Sequence, residues 1–242
     1  DFFKDKGLHN ESIDLGFNHK SGLFVNGGYT RNNHGGWQGD LTGREKRWHP
    51  KDQALMNGMF GFQNRNMNVW YRLDFLDEKI FGPNNGSELQ PEKVSDKDFL
   101  TKRYTHQLQS DWKLDNRLDV HAALSYQVYK RRTRTTESDL STGEKWLSSA
   151  EASQDITQYK AWIARATVAW NIAPEFSVQP GVEYQWTQGE GGRIDGTPKV
   201  SDLAFFLSAE YKPWEWLSLR PGVRTFIVAD YDAPIAIPSV LT

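Results

Sequence analysis

From Leu118 to Tyr129 the chain alternates almost without fault. Leu118, Val120, Ala122, Leu124, Tyr126 and Val128 fall on one parity, and Asp119, His121, Ala123, Ser125, Gln127 and Tyr129 on the other. A period of two sends these sets to opposite faces of a β-strand. The pattern recurs in segment after segment, one face apolar and the other polar, with no third kind of segment to cover either. A sheet of that kind has lipid on one side and water on the other. It reads as the wall of a transmembrane β-barrel, in which every backbone polar group finds a partner in a neighbouring strand.

Composition sharpens the reading. The mean hydropathy is polar, but a barrel needs apolar residues only at alternate strand positions and carries long wet loops. Aromatic residues make up 13% of the 242 residues, with 10 Trp, which suits interfacial girdles. The net charge of -2 gives no general attraction to nucleic acid. The absence of Cys removes disulfides, thiolate metal sites and Cys nucleophiles. No stretch approaches the roughly 18 apolar residues of a membrane-spanning helix. The chain begins at Asp1 with no signal peptide, and Ile237 to Thr242 reads as a strand just begun. Both ends therefore read as those of a partial barrel.

Alternation and turn chemistry predict an all-β, antiparallel, up-and-down wall of about ten strands in five hairpins. The pairs are Ser12–His19 with Leu23–Arg31, Met56–Gln63 with Met67–Asp77, Arg103–Leu114 with Leu118–Arg134, Thr157–Ile172 with Phe176–Gln188, and Asp202–Lys212 with Leu217–Asp230. Each pair flanks a turn of a few residues. The links between hairpins, about 32–55, 78–102, 135–156 and 189–201, are long and rich in Gly, Asn, Asp, Ser and Lys. Short and long connections thus alternate strictly. That sends all short turns to one end and all long loops to the other, the asymmetry of outer-membrane barrels with short periplasmic turns and long extracellular loops.

Parity assigns the faces. The lipid set includes Trp162, Ala164, Ala166, Val168, Trp170, Val182, Tyr184, Leu203, Phe205 and Leu207. The lumen set includes Gln107, Gln109, Asp111, Arg165, Gln179, Glu183, Gln185, Glu210 and Arg224. A charge facing lipid at mid-depth costs roughly 2–4 kcal/mol, so these charges belong on the wet side. Trp112, Trp170, Trp214 and Trp216 lie beside short turns, as a periplasmic-side girdle requires. The competing reading places the same aromatics in the core of a soluble sandwich.

No catalytic constellation emerges: there is no Gly-x-Ser-x-Gly elbow, phosphate loop or His-Glu-x-x-His, and the chain does not read as an enzyme. In the first long loop, His34 and His49 lie among Trp37 and Trp48, a setting in which an imidazole can ligate haem iron; the plainer alternative is a solvated histidine. His106 and His121 fall on strands, His121 on the lumen side, as wall histidines hydrogen-bonded to lumen neighbours. Carboxylates such as Asp96 and Asp98 suggest Ca²⁺ in the extracellular loops, without the spacing of an EF-hand. No other cofactor or resident metal is implied. The run Lys130–Arg134 projects above the membrane, either as a solvated strand extension or as a contact for an anionic ligand or lipopolysaccharide phosphates through Arg131, Arg132 and Arg134.

Three stretches bring in a family: Tyr126–Thr136 leading into Ser141–Trp146; Pro180-Gly-Val-Glu-Tyr184 with Gly189–Ile194; and Leu219-Arg-Pro-Gly-Val-Arg224 with Tyr231–Pro234 and Ile237–Ser239. In this style the chain resembles the barrel of a TonB-dependent outer-membrane receptor, of the Bacteroidetes type that takes up haem, cobalamin or related chelates. The resemblance implies a larger barrel of about 22 strands around a plug. Residues 1–242 would form part of that wall, the plug domain and C-terminal strands being absent. It also implies TonB, the plug domain, outer-membrane lipid and a surface lipoprotein as partners. The long loops, with His34, Trp37, Trp48, His49, Arg131, Arg132 and Arg134, would capture the chelate. Arg165, Gln179, Glu183, Gln185 and Arg224 would face the plug. The alternative function is a small passive porin-like or adhesin barrel that binds ligands with its loops.

Overall fold

A computed structural model describes residues 7–192, 194 and 196–231. The described residues form twelve strands in a single antiparallel sheet. The long ones are β1 (Leu8–Asn18), β2 (Leu23–His34), β3 (Lys51–Gln63), β4 (Met67–Gly82), β5 (Lys93–Lys113), β6 (Leu118–Asp139), β8 (Ile156–Ala173), β9 (Phe176–Glu190), β10 (Lys199–Trp214) and β12 (Gly222–Tyr231). Two three-residue strands join them: β7 (Lys145–Leu147), which pairs with β6, and β11 (Leu217–Leu219), which pairs with β10. The ten long strands pair in chain order, an up-and-down meander. In the described residues β1 pairs only with β2 and β12 only with β10, so the described sheet is open.

The short turns explain themselves chemically. In the β1–β2 turn Gly22 sits at φ 95°, and an added Cβ would meet the Gln63 carbonyl oxygen at 2.0 Å, which excludes any other residue without rearrangement. In the β3–β4 turn the Asn64 side-chain oxygen accepts from the amides of Asn66 and Met67, each at 2.8 Å. Asp115 accepts from Arg117 at 2.6 Å in the β5–β6 turn.

At this end the strand boundaries fall within two residues of those read from sequence. At the other end they run further than expected. β3 starts at Lys51 rather than Met56, β4 continues to Gly82, β5 starts at Lys93 rather than Arg103, and β6 continues to Asp139. The intervening segments 35–50, 83–92, 140–155 and 191–198 are correspondingly shorter than the loops expected from sequence. Where both faces of a strand are wet, the apolar alternation that marks it vanishes while backbone pairing continues. Polar cross-strand neighbours sustain it, such as Gln53 donating to Glu78 at 2.8 Å. The tenth strand of the sequence reading is divided at Arg220-Pro221, where proline cannot donate to a ladder. The segment Ile237–Thr242 lies outside the described residues.

The described residues put no second layer on the sheet. Among the described residues only Leu76, Val94 and Ala204 are buried hydrophobics, and no large side chain is fully buried. A soluble domain of this length would need a packed core, and the sandwich reading fails on that point. Leu15, Phe60, Leu108, Trp162, Phe205 and Leu207 are instead exposed on one face. From Leu118 to Val128 the apolar band of β6 covers roughly 25 Å of height at ~3.3 Å per residue and a tilt of about 40°, the depth of an outer-membrane hydrocarbon layer. Trp112, Trp170, Trp214 and Trp216 are exposed beside the short turns, with Trp214 and Trp216 stacked at 5.5 Å. Toward the long-loop end, Tyr126 stacks on Trp162 at 4.2 Å. The sheet thus carries an aromatic belt at both limits of its apolar band.

Candidate functional site

The polar face bears its most enclosed ion cluster at mid-height. Register places Arg165 (β8) opposite Glu183 (β9), Glu183 opposite Ala204 (β10), and Phe206 opposite Arg224 (β12). The Glu183 side chain is 4% exposed. Its Oε2 accepts from Arg165 Nε at 2.6 Å. Its Oε1 accepts from Arg224 Nη2 at 2.6 Å and from Gln185 Nε2 at 2.8 Å. Bonds from two guanidinium groups offset the cost of burying the carboxyl group. Both arginines stay partly open, and together with Glu183 they leave one surplus positive charge facing the lumen.

The ring of Phe206 lies between them, 5.6 Å from the Arg165 guanidinium and 5.9 Å from that of Arg224, within cation–π range. Gly181 makes room for that ring: an added Cβ would stand 2.2 Å from Phe206 Cζ. The cluster walls one side of an open groove of about 650 Å³ that also touches Trp70, Gln107 and Gln109. Of the five lumen residues expected from sequence, Arg165, Glu183, Gln185 and Arg224 therefore come together. Gln179 shares their face but lies lower, opposite Ser208, and makes no described contact with them. Phe206 was not picked out from sequence; an aromatic at a lumen-parity position opposite Arg224 was the available signal. Nearer the short turns Glu210 is bound by Arg220 at 2.9 Å and Lys212 at 3.1 Å, and Asp111 meets His121 at 2.8 Å.

A second polar recess lies at the long-loop end, on the same face. It has a volume of about 790 Å³ and is lined by Lys97, Phe99, Tyr129, Arg131 and Tyr159, among others. Arg131 stacks over Phe99 at 4.4 Å, and Tyr129 faces Tyr159 at 6.1 Å. The segment 148–155 closes one side. Gln154 Nε2 donates to the Thr135 carbonyl at 2.8 Å, and Asp155 Oδ1 accepts from the Gly192 amide at 2.8 Å, tying two loops together. Cation and aromatic faces over a wet floor form a surface suited to a flat, anionic or aromatic guest.

Alternation separates the three arginines expected to act together. Arg131 enters this recess, whereas Arg132 and Arg134 stand on the outer face of β6. There Arg134 pairs with Asp98, which Lys79 also approaches at 3.4 Å. Asp96 is held by Arg44 in a two-point contact at 3.0 and 2.6 Å. The two carboxylates considered for Ca²⁺ thus face cations of the protein. Among the described residues no three His, Asp or Glu side chains converge to hold a metal ion.

In the first loop Trp37 and Trp48 form a backbone bridge with rings 5.5 Å apart, and His34 lies 6.1 Å from Trp48. His34 Nδ1 accepts from the Gly36 amide at 3.2 Å, which leaves Nε2 available. His49 lies apart from that stack, against Gly82. His106 departs from the expected lumen bonding. Its Nδ1 meets the Tyr71 hydroxyl at 2.6 Å, and its ring faces Tyr126 at 6.1 Å, both on the outer face.

No family model and no curated protein matches the chain. Solved structures do. The outer membrane transporter YddB from Escherichia coli superposes with a TM-score of 0.62 at 11% identity, over 91% of this chain and 34% of that one. The chain has the fold of an outer-membrane barrel wall. It spans about a third of YddB's length. The ferric yersiniabactin uptake receptor FyuA from Yersinia pestis matches at TM-score 0.43 and 10% identity, over 90% of this chain and 42% of its own. The ferric citrate transporter FecA in its unliganded form matches at TM-score 0.43 and 10% identity, over 92% and 42%.

Proposed function

We propose that this chain is part of the wall of a TonB-dependent outer-membrane receptor that takes up a metal chelate through a plugged barrel. The observation that carries the reading is a single uncovered sheet, apolar over the depth of a bilayer on one face and holding the Arg165–Glu183–Arg224 cluster on the other. The likeness to an outer membrane transporter wall supports it. A small closed barrel would require β1 and β12 to pair with each other, and in the described sheet each has one neighbour.

In this reading the recess around Arg131, Phe99, Tyr129 and Tyr159 takes the chelate from outside, with the first-loop group His34, Trp37, Trp48 and His49 contributing above it. Haem, cobalamin and ferric siderophores all present the anionic or flat surfaces such a lining recognises. The half-open guanidinium groups of Arg165 and Arg224, with Gln185 and Gln179, hydrogen-bond to a plug domain and release it when TonB pulls. A surface lipoprotein would dock on the long-loop end.

The test is uptake of haem, cobalamin and a ferric siderophore in cells lacking the full-length gene. Loss of one of them, restored by the wild-type gene and reduced at least tenfold in affinity by Arg131→Ala, supports the proposal. Undiminished uptake of all three overturns it.

A further inference from the structure

The outer face carries a group of cations on adjacent strands just above its apolar band. Lys102 on β5 stands directly opposite Lys130 on β6. Lys160 on β8 is opposite Val128, diagonal to Lys130, and Arg132 follows Lys130 on the same face. Like charges placed directly across a strand pair repel. Lys102 is relieved by Asp77 at 3.5 Å. Lys130, Arg132 and Lys160 have no acidic partner among the described residues' ion pairs.

Their height is particular. On the same face Tyr104 lies one step below Lys102 and Trp162 one step below Lys160, and Tyr126 lies two steps below Lys130. These cations therefore stand where the headgroups of the outer leaflet begin.

An apolar groove of about 390 Å³ runs down the same face beneath the belt. Leu108, Leu124, Val182 and Tyr184 wall it, and Ala122, Ala164 and Ala166 form its floor. Lys160 is four residues above Ala164, roughly 10 Å along the membrane normal at ~2.5 Å of height per tilted residue. A slot of small side chains below a group of unneutralised cations matches a molecule with phosphate at its head and an acyl chain beneath it. Inorganic phosphate would use only half of that surface.

We infer that Lys130, Arg132 and Lys160, assisted by Lys102, bind the phosphate groups of a phosphorylated glycolipid of the outer leaflet, one acyl chain of which lies in the groove over Ala122, Ala164 and Ala166. The inference rests on the sheet being a membrane wall, and it takes the basic run apart: Arg131 points to the lumen recess, and Arg134 is committed to Asp98.

The experiment is native mass spectrometry of the full-length protein in mild detergent. A diphosphorylated glycolipid, the same lipid without phosphate, and inorganic phosphate are titrated separately. The expected result is a 1:1 adduct with the phosphorylated lipid, at least tenfold weaker binding of the dephosphorylated lipid, and no displacement by millimolar inorganic phosphate. The triple variant K130Q/R132Q/K160Q loses the adduct at least tenfold, A164F weakens it, and R131Q leaves it unchanged. Equal binding of both lipids by the wild-type protein overturns the inference without need of any variant. So does full displacement by inorganic phosphate, or an adduct undiminished in a folded triple variant. A protein that stays monomeric in buffer without detergent removes the membrane reading itself; one that requires detergent yet binds no glycolipid removes only this inference.

Discussion

Placing arginine at Leu124 probes the lipid-facing assignment energetically. Leu124 lies on β6 six residues from Leu118, opposite Leu108 and Ala164. At ~2.5 Å of height per residue it stands roughly 15 Å into a band of about 25 Å, close to the bilayer midplane. Leu124→Arg then costs roughly 2–4 kcal/mol, whereas Leu118→Arg, at the edge of the band, costs about 0–1 kcal/mol. Ser125→Arg, one residue further on and facing water, stays within about 0.5 kcal/mol of wild type. Leu124→Trp separates lipid from protein packing. Acyl chains yield to the larger ring, so the change is near zero; in a close-packed protein core, overfilling costs about 1–3 kcal/mol. The assay is reversible urea unfolding of the full-length protein from vesicles, followed by tryptophan fluorescence and by gel mobility without boiling. Equal penalties at Leu118 and Leu124, a penalty at Ser125 matching that at Leu124, or a cost above 1 kcal/mol for Leu124→Trp would refute the reasoning.

Three further outcomes follow from the geometry. Glu183→Gln removes the anion between two partly hydrated arginines and costs about 1–2 kcal/mol, while R165A/R224A strands a nearly buried carboxylate and costs about 3 kcal/mol or more, read by the same unfolding assay. Gly181→Val drives a side chain into the Phe206 ring, costs about 1–3 kcal/mol and displaces both arginine–ring contacts, visible as a changed near-ultraviolet circular dichroism. Beyond the membrane, the Ser141 hydroxyl, then the Thr142 and Ser141 amides, hold the Asp139 carboxyl below the usual carboxylate range. A lowered native value contributes stability above the ordinary Asp value of about 3.9 that is lost as pH falls through the lowered one. Amide exchange at Ser141 and Thr142, corrected for intrinsic rate, should therefore be equally protected at pH 8 and pH 5 and lose protection only in strong acid, whereas Asp139→Ala loses it at every pH.

What the sequence revealed and what it hid have one cause. Within the bilayer one face must be apolar and the other polar, so β6 announces itself from Leu118 to Val128 and its boundary at the Asp115 turn is legible to the residue. Beyond Arg134, where the sequence reading ended it, the same strand runs on to Asp139 wet on both sides, its pairing rests on backbone bonds and polar neighbours, and no periodic signal marks it. The lumen cluster was readable in part because parity puts Arg165, Glu183 and Arg224 on the wet face; which of the charges there meet depends on register across β10, which parity alone does not supply. The basic run misled because a list of adjacent residues ignores the pleat. Arg131 and Arg132 are neighbours in sequence and stand on opposite faces of the sheet. Phe206 and the Ala122–Ala164–Ala166 groove escaped notice because each is defined by contacts across several strands.

The central claim is best tested by spin-label accessibility at single cysteines placed in turn from Leu118 to Tyr129, a stretch of a chain that has no cysteine of its own. In full-length protein reconstituted into bilayers, even positions should collide mainly with oxygen, which concentrates in lipid, with a maximum near Leu124. Odd positions should collide mainly with a water-soluble nickel chelate. Profiles with no period of two, or with the even positions shielded from both agents, would contradict a wall with lipid on one side and water on the other.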